Sequence, residues 1–179
     1  MKSLKKDIDS LNKTSETVRP LCDRIIIESQ REIAGLHAGK PMDLGPMRAD
    51  VKRLNTFARD PLVYVINRNL MFVAYQEYAE AEFVWAVVNG KELPDLPIPS
   101  PCYFTGLCDA IGEVKRQFMI ALIEKDRSKA ERLLKRALKL GSLIAEIDAS
   151  PAVINSLKVK KDMVSRSIES MLELSVRTG

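Results

Sequence analysis

Two pairs of acidic residues lie in stretches of the chain that are otherwise apolar. Glu77 and Glu80 are three positions apart in LMFVAYQEYAEAEFVWAVV, and Asp109 and Glu113 are four apart in YFTGLCDAIGEV. Spacings of three and four place each pair on one face of a helix. The first stretch contains no Lys or Arg, and the second has none before Lys115. Two helices thus each offer a carboxylate pair without a cation of their own.

Carboxylates in apolar surroundings need compensation, because removing a charge from water is costly. A proton, a basic side chain or a divalent cation can supply it. Hard oxygen ligands suit Mg²⁺ or Mn²⁺, and an ion held by a few carboxylates can orient a water molecule and stabilise charge that develops on a phosphate. Four acids are therefore candidate metal ligands and catalytic residues for phosphodiester hydrolysis: Glu77, Glu80, Asp109 and Glu113.

E-x-x-E is a weak pattern, so spacing alone favours a structural role for these acids over metal binding. The acids could line a solvated groove or pair with Arg and Lys from other helices. The single histidine, His37, is expected to pack at a helix end rather than to bind a metal, and histidine-centred acid–base catalysis is disfavoured. Neither a phosphate-binding glycine loop nor a nucleophile elbow is present.

Composition favours a helical protein of the cytoplasm. Of 179 residues, 46% are apolar and 29% are charged, which is ordinary for one folded domain spanning residues 1–179. Only 8 Gly and 9 Pro are present, and strand signals are scarce. The net charge of +4 is compatible with a polyanionic partner but does not identify one. The N-terminal segment lacks the apolar core of a signal peptide, so export is not expected.

Two other kinds of protein are disfavoured. The apolar stretch from Leu70 to Val88 approaches the length of a membrane span, but Glu77 and Glu80 would then lie near the bilayer centre, where each charge costs about 2.5 kcal/mol or more. We therefore expect a buried helix and no membrane partner. The cysteines are odd in number and lack C-x-x-C spacing, which supports neither a disulfide framework nor a zinc site: Cys22, Cys102 and Cys108.

Helical periodicity covers the first half of the chain. Apolar or small residues alternate at spacings of four and three over residues 4–36, which predicts a helix that Pro20 should kink or divide. A break is expected at 39–41, and a shorter helix at 46–57. Asp60, as an N-cap before Pro61, should open a long helix that ends at Val88.

The second half begins with a proline-rich segment, residues 93–101, which is expected to form an extended connector. A helix to about Glu124 should follow. Ser128 and Glu131 match a capping box that would open a basic helix, and Ser150, before Pro151, should open the last helix, which reaches nearly to Arg177. The apolar stripe predicted for that helix is Ile154, Leu157, Val164, Ile168, Met171 and Leu172. Several helices are long enough that one monomer can bury only part of their apolar surface, so self-association is expected.

Basic residues offer candidate contacts to nucleic acid without singling out any position. The helix after residue 128 could track a phosphate backbone, although such a run is more often a solvated face. Its basic residues are Lys129, Arg132, Lys135, Arg136 and Lys139. Arg24, Arg31 and Arg68 are further candidates that internal ion pairs would explain equally well.

Four stretches, in order along the chain, resemble the translin superfamily, and more closely translin-associated factor X (Trax) than translin itself. Four ordered matches are much more specific than any one of them. They are DRIIIESQREIAGLH (23–37), QEYAEAEFV (76–84), YFTGLCDAIGEVKR (103–116) and LELSVRTG (172–179).

The resemblance implies an elongated all-α bundle of six or seven helices that assembles into a closed homo-oligomer, an octamer. Trax-type subunits act there as Mg²⁺- or Mn²⁺-dependent endoribonucleases on single-stranded RNA. Their acidic positions correspond to Glu77, Glu80, Asp109 and Glu113. Translin-type subunits share the acids at 80 and 113 but tend to be apolar at 77 and 109. The short connector further suggests a microbial homologue that assembles from one kind of subunit.

Three functions therefore stand at this point. The first is a metal-dependent endoribonuclease in which the four acids hold the ion and position water. The second is a non-catalytic oligomer that binds single-stranded RNA, and possibly DNA, with the acids in a structural role. The third and weakest is a helical scaffold.

Overall fold

The computed structural model describes the backbone of residues 1–178 and the side chains of residues 1 and 4–177. All regular structure in this part of the chain is α-helical. Gly179, the last residue of the predicted 1–179 domain, lies outside the described residues. Six helices follow one another: α1 (Lys2–His37), α2 (Gly45–Ala58), α3 (Pro61–Val88), α4 (Ser100–Ile123), α5 (Arg127–Glu146) and α6 (Leu157–Thr178).

Two adjacent helices, α3 and α4, form the centre of the bundle. Helices α1 and α2 pack against α3, and α5 and α6 pack against α4. The central pair is buried because its sequence is apolar nearly all round, with 13 buried residues in α3 and 12 in α4. The 36 residues of α1 make a rod about 54 Å long, which gives the bundle its elongated form. The prediction of an elongated all-α bundle of six or seven helices is confirmed, with six.

The first helix runs unbroken through Pro20, so the predicted division there is wrong. Val18, Leu21 and Cys22 are all buried on either side of the proline, and this packing holds the two halves of α1 in one helix despite the lost backbone donor. The predicted break after α1 is confirmed. Gly39 has a positive φ of 77°, a conformation that glycine adopts without steric cost.

Proline after a capping residue predicts one helix start correctly and another wrongly. Asp60 caps α3, since its carboxylate accepts hydrogen bonds from the backbone N–H of Leu62 at 2.9 Å and of Val63 at 3.3 Å. Ser150 caps no helix. The backbone N–H groups of Val153 and Ile154 both donate to the Ser150 carbonyl, and this turn precedes α6, which begins only at Leu157.

Two further boundaries differ from prediction. The predicted capping box is not formed: Asp126 caps α5 by accepting from the Lys129 backbone N–H at 2.9 Å, while the Ser128 hydroxyl accepts from Arg132. The extended connector is shorter than predicted, because α4 begins at Ser100. The predicted stripe of α6 is mostly correct, but Ile154 lies before the helix and Leu172 is 40% exposed.

The remaining buried groups are ordinary for a helical core. The three cysteines are buried free thiols.

Within the described residues, every helix is either too short or too polar to cross a membrane.

Candidate metal and catalytic site

The four predicted acids lie together between α3 and α4. Glu77 and Glu80 come from α3, Asp109 and Glu113 come from α4, and all four are half-buried. Burial raises the pKa of Glu80, and the negative charges of the other three acids raise it further, so the four carboxylates are near enough to interact. The structure therefore groups the residues that the sequence singled out, while their catalytic role stays a prediction.

Gly106 lets the two central helices approach closely at this site. A Cβ atom at position 106 would lie 2.6 Å from Ala79 Cβ and 2.7 Å from the Gln76 carbonyl oxygen. It would also lie 3.1 Å from the Glu80 backbone nitrogen. Two of these contacts are with backbone atoms, which cannot move aside alone. The absence of a side chain at Gly106 thus sets the distance between the two acidic pairs.

We expect Gly106→Ala to lower the free energy of unfolding by about 1–3 kcal/mol, the usual cost of overpacking a well-packed core. Urea denaturation measures it. Gly112→Ala is the matched control on the same helix, because an added Cβ there meets nothing within 4 Å. It should be neutral or stabilise by up to about 1 kcal/mol. Equal stability of the two variants would contradict the close approach.

Three of the acids accept hydrogen bonds from other helices. The Gln30 amide nitrogen of α1 donates to Glu77 Oε2 at 3.2 Å, and the Gln76 amide nitrogen donates to Asp109 Oδ2 at 3.0 Å. His37 Nε2 makes a short hydrogen bond with Glu113 Oε2. In the described part of the chain, no side chain donates to Glu80.

His37 does more than pack at the end of α1. Its side chain is only 4% exposed, and the Gln117 amide nitrogen donates to its Nδ1 at 2.9 Å. In a neutral ring that bond leaves the proton on Nε2, which can then donate to Glu113. The same Gln117 amide also donates to the Leu36 carbonyl oxygen at 3.2 Å. Glu113 is therefore held in place by a fixed chain of side chains.

Lys160 of α6 neutralises Asp109. Its Nζ lies 2.5 Å from Oδ1 and 2.7 Å from Oδ2, and the two side chains are 16% and 15% exposed. For Asp109, the structure thus shows a pairing with a lysine from another helix, one of the alternatives that spacing left open.

Burial, with the neighbouring negative charges, raises the pKa of both α3 carboxyls. For Glu80, burial is the largest cause and the charge of Asp109 the next, and together with Glu77 and Glu113 they raise its pKa to about 8. For Glu77, burial raises the pKa, and the Gln30 hydrogen bond partly offsets this. A metal-free site at neutral pH therefore holds a proton on Glu80.

This raised pKa predicts a pH dependence of stability in the presence of EDTA. Between its ordinary value of 4.5 and about 8, Glu80 stays protonated in the folded chain but is ionised in the unfolded chain. The stabilisation that comes from protonated Glu80 is complete below pH 4.5 and is lost above pH 8. Between these values, the free energy of unfolding falls by up to about 1.4 kcal/mol for each unit of pH. Urea denaturation from pH 5 to 9 should show a shallower decline for Glu80→Gln than for wild type. An unchanged decline would contradict the raised pKa.

Glu82 lies on the same helix but outside this group. Its side chain is 1% exposed, and Arg48 of α2 binds both its carboxylate oxygens, at 2.7 and 2.8 Å. The Arg48 guanidinium also lies 5.9 Å from the centre of the Trp85 ring. Arg24 likewise pairs with Asp50 through two hydrogen bonds. Internal ion pairs account for these residues.

Sequence reasoning missed the side chains that hold the acids. Gln30 and His37 lie in the stretch 23–37 that carries the resemblance, and Gln76 opens the stretch 76–84, so position in those motifs was the available signal. Gln117 falls one residue beyond such a stretch. Lys160 has no sequence signal, because its contact depends on how α6 packs against α4.

No family model matches the sequence, and no curated protein matches it. Solved structures that match the fold over nearly the whole chain include the following three. AfC3PO in complex with duplex RNA has a TM-score of 0.80 at 23% identity, covering 99% of this chain and 95% of that one. AfC3PO alone gives 0.79 at 23% identity over the same shares of the two chains. Apo-NeC3PO gives 0.84 at 18% identity, covering 99% of this chain and 96% of that one. The chain therefore has the all-helical, translin-like fold of these C3PO structures.

Proposed function

We propose that the chain is a Mg²⁺- or Mn²⁺-dependent endoribonuclease that cuts single-stranded RNA within a homo-oligomer. The observation that carries this proposal is the grouping of Glu77, Glu80, Asp109 and Glu113 between α3 and α4. Among the described residues, Asp109 is the one carboxylate of the four that is paired with a lysine, and Glu80 lacks any side-chain donor. A divalent cation would relieve this excess of negative charge.

The donor set fits such an ion in its chemistry. All four groups are carboxylates, the hard oxygen ligands that Mg²⁺ and Mn²⁺ accept. As the side chains stand, no group of three or more His, Cys, Asp or Glu among the described residues is arranged to hold an ion. Lys160 engages both oxygens of Asp109, and His37 engages Glu113. Side-chain rotation on a fixed backbone would therefore have to complete the set.

The residues of the chain have distinct roles in this proposal. Glu77, Glu80, Asp109 and Glu113 would hold the ion, which when bound orients a water and stabilises charge on the phosphate. His37 and Gln117 keep Glu113 in place. As a ligand, Glu80 would have to give up its proton, so metal binding should release protons near neutral pH.

RNA as the substrate rests on the translin-superfamily resemblance and on the complex of a structurally similar protein, AfC3PO, with duplex RNA. The preference for single strands rests on the resemblance alone. Both kinds of RNA therefore belong in the test.

Self-association, in the resemblance an octamer, is supported by an exposed aliphatic face on α3. Leu62, Val65, Ile66 and Val73 are 41% to 61% exposed and lie on one side of the helix. Exposed aliphatic residues in such a row are typical of an interface. The row leads along α3 to Glu77 and Glu80, so a second copy of the chain seated there would lie beside the acids.

The ion pair between Lys160 and Asp109 favours a second candidate, a non-catalytic oligomer that binds single-stranded RNA or DNA. There, Lys160 would satisfy Asp109 permanently, and the acids would be structural.

Labelled single-stranded and duplex RNA, incubated with the protein and Mg²⁺ or Mn²⁺, with and without EDTA, separates the two candidates. The nuclease requires internal cleavage that EDTA abolishes. Tight binding without cleavage in either metal would support the second candidate. A stable monomer by light scattering at micromolar concentration would contradict the proposed assembly.

A further inference from the structure

Lys160 forms an ion pair with Asp109, a carboxylate that the proposed function assigns to a metal ion. Its ammonium group contacts both Asp109 oxygens, at 2.5 and 2.7 Å, and Gln76 adds a third donor on Oδ2. A carboxylate that is surrounded in this way by positive charge and N–H donors has little capacity left for a cation. Asp109 can therefore serve Lys160 or an ion, but not both in full.

Lys160 is placed so that it can leave. It lies in the first turn of α6, where its backbone N–H donates to the Ser156 carbonyl oxygen at 2.9 Å. The ammonium group reaches Asp109 on a flexible four-carbon stem, so rotation of the side chain can withdraw the charge without moving the helix. The pair is 15–16% exposed, which leaves a route to solvent.

We propose that Lys160 and a divalent cation are alternative occupants of Asp109, so that Lys160 acts as a tethered counter-ion that stabilises the empty site and weakens metal binding. The inference rests on the proposed function, because it takes Asp109 as a metal ligand. Lys160 is on this view a positioning residue of the metal-free state rather than a catalytic residue.

Two consequences follow from competition at one carboxylate. Replacing Lys160 with an uncharged side chain of similar length removes the competitor, so a metal ion binds more tightly. It also leaves the acids without their cation, so the metal-free chain becomes less stable. A lysine that merely supported the fold would produce the second effect without the first.

Titration of Mn²⁺ into wild type and Lys160→Met, followed by electron paramagnetic resonance of free Mn²⁺, measures the affinity directly. We expect about tenfold tighter binding by the variant, within the 10- to 100-fold range that neighbours of metal ligands commonly control. In parallel, thermal unfolding in EDTA should show a lower Tm for Lys160→Met, and Mn²⁺ should raise its Tm by more than it raises that of wild type.

Lys161→Met is the matched control. Lys161 is the next residue, carries the same charge, and donates to the Ala145 carbonyl oxygen at 2.8 Å instead of contacting an acid. It should bind Mn²⁺ like wild type. In an Asp109→Asn background, Lys160→Met should change the affinity much less, because the shared carboxylate is gone and only the longer-range effect of the Lys160 charge on Glu77 and Glu80 remains.

The possible outcomes separate the two proposals. Equal Mn²⁺ affinity in wild type and Lys160→Met, with intact folding, would overturn the competition while leaving the metal site standing. Weaker binding by Lys160→Met would also overturn it, since Lys160 would then be supporting the bound state. No Mn²⁺ binding by either protein would overturn the metal site and the competition together.

Discussion

Glu80→Gln should lower the rate of RNA cleavage by at least about a hundredfold, because it removes a proposed ligand, whereas losing a group behind a ligand costs about 10- to 100-fold. The amide has nearly the shape of the carboxylate but cannot carry its charge. The change also removes the group whose pKa burial and three neighbouring acids raise to about 8, so it should not weaken the metal-free fold. Lost activity would then report the site rather than unfolding.

Cleavage of a labelled single strand in Mn²⁺ measures the effect, with Glu92→Gln as control. Glu92 is exposed and lies after α3, so the same chemical change there should leave the rate unaltered. Asp109→Asn should match Glu80→Gln. Cleavage at the wild-type rate by both site variants would show that neither Glu80 nor Asp109 takes part in the reaction and would contradict the proposed site.

Arg48→Met should lower the free energy of unfolding by about 3 kcal/mol, as expected when a buried carboxylate loses its partner. Glu82 is 1% exposed, and Arg48 is its charged partner, donating two hydrogen bonds at 2.7 and 2.8 Å, while the Tyr78 hydroxyl also interacts with the carboxylate. The apolar replacement keeps most of the side-chain length, so the loss comes chiefly from the stranded charge. Guanidinium chloride or urea denaturation measures the effect.

Arg24→Met provides the comparison, because Arg24 makes the same two-bonded contact with Asp50 at a more exposed position. An exposed pair contributes about 0–1 kcal/mol, so this variant should stay close to wild type. Equal losses in the two variants would show that burial of Glu82 does not govern the strength of its pair. The buried ion pair would then no longer be a reason to assign Glu82 a structural role while Glu77 and Glu80 are candidate metal ligands.

The helices were predictable from the sequence where the determining interactions are local. Asp60 and Pro61 predict the start of α3 because a side-chain cap involves neighbouring residues only. The similar pair Ser150 and Pro151 does not start a helix. The chain forms a turn there, and this turn places Ile154 in the core, where it is buried. The prediction at Pro20 is wrong because it also depends on tertiary packing: burial against α3 keeps α1 continuous.

The candidate site was predictable in its acids but not in their partners. Spacing within α3 and α4 gives the two pairs, and the resemblance joins them. Contacts between helices depend on packing that no local pattern records, such as the close approach at Gly106. Lys160 reaches Asp109, and His37 reaches Glu113, only because the bundle brings α6 and α1 to the central helices.

The most direct test of the metal site is anomalous diffraction from crystals of the protein grown or soaked with Mn²⁺. We expect a single region of anomalous density among Glu77, Glu80, Asp109 and Glu113, with the Lys160 ammonium group withdrawn from Asp109. Density at another position, or none among these acids at millimolar Mn²⁺, would contradict a metal-dependent nuclease at this site.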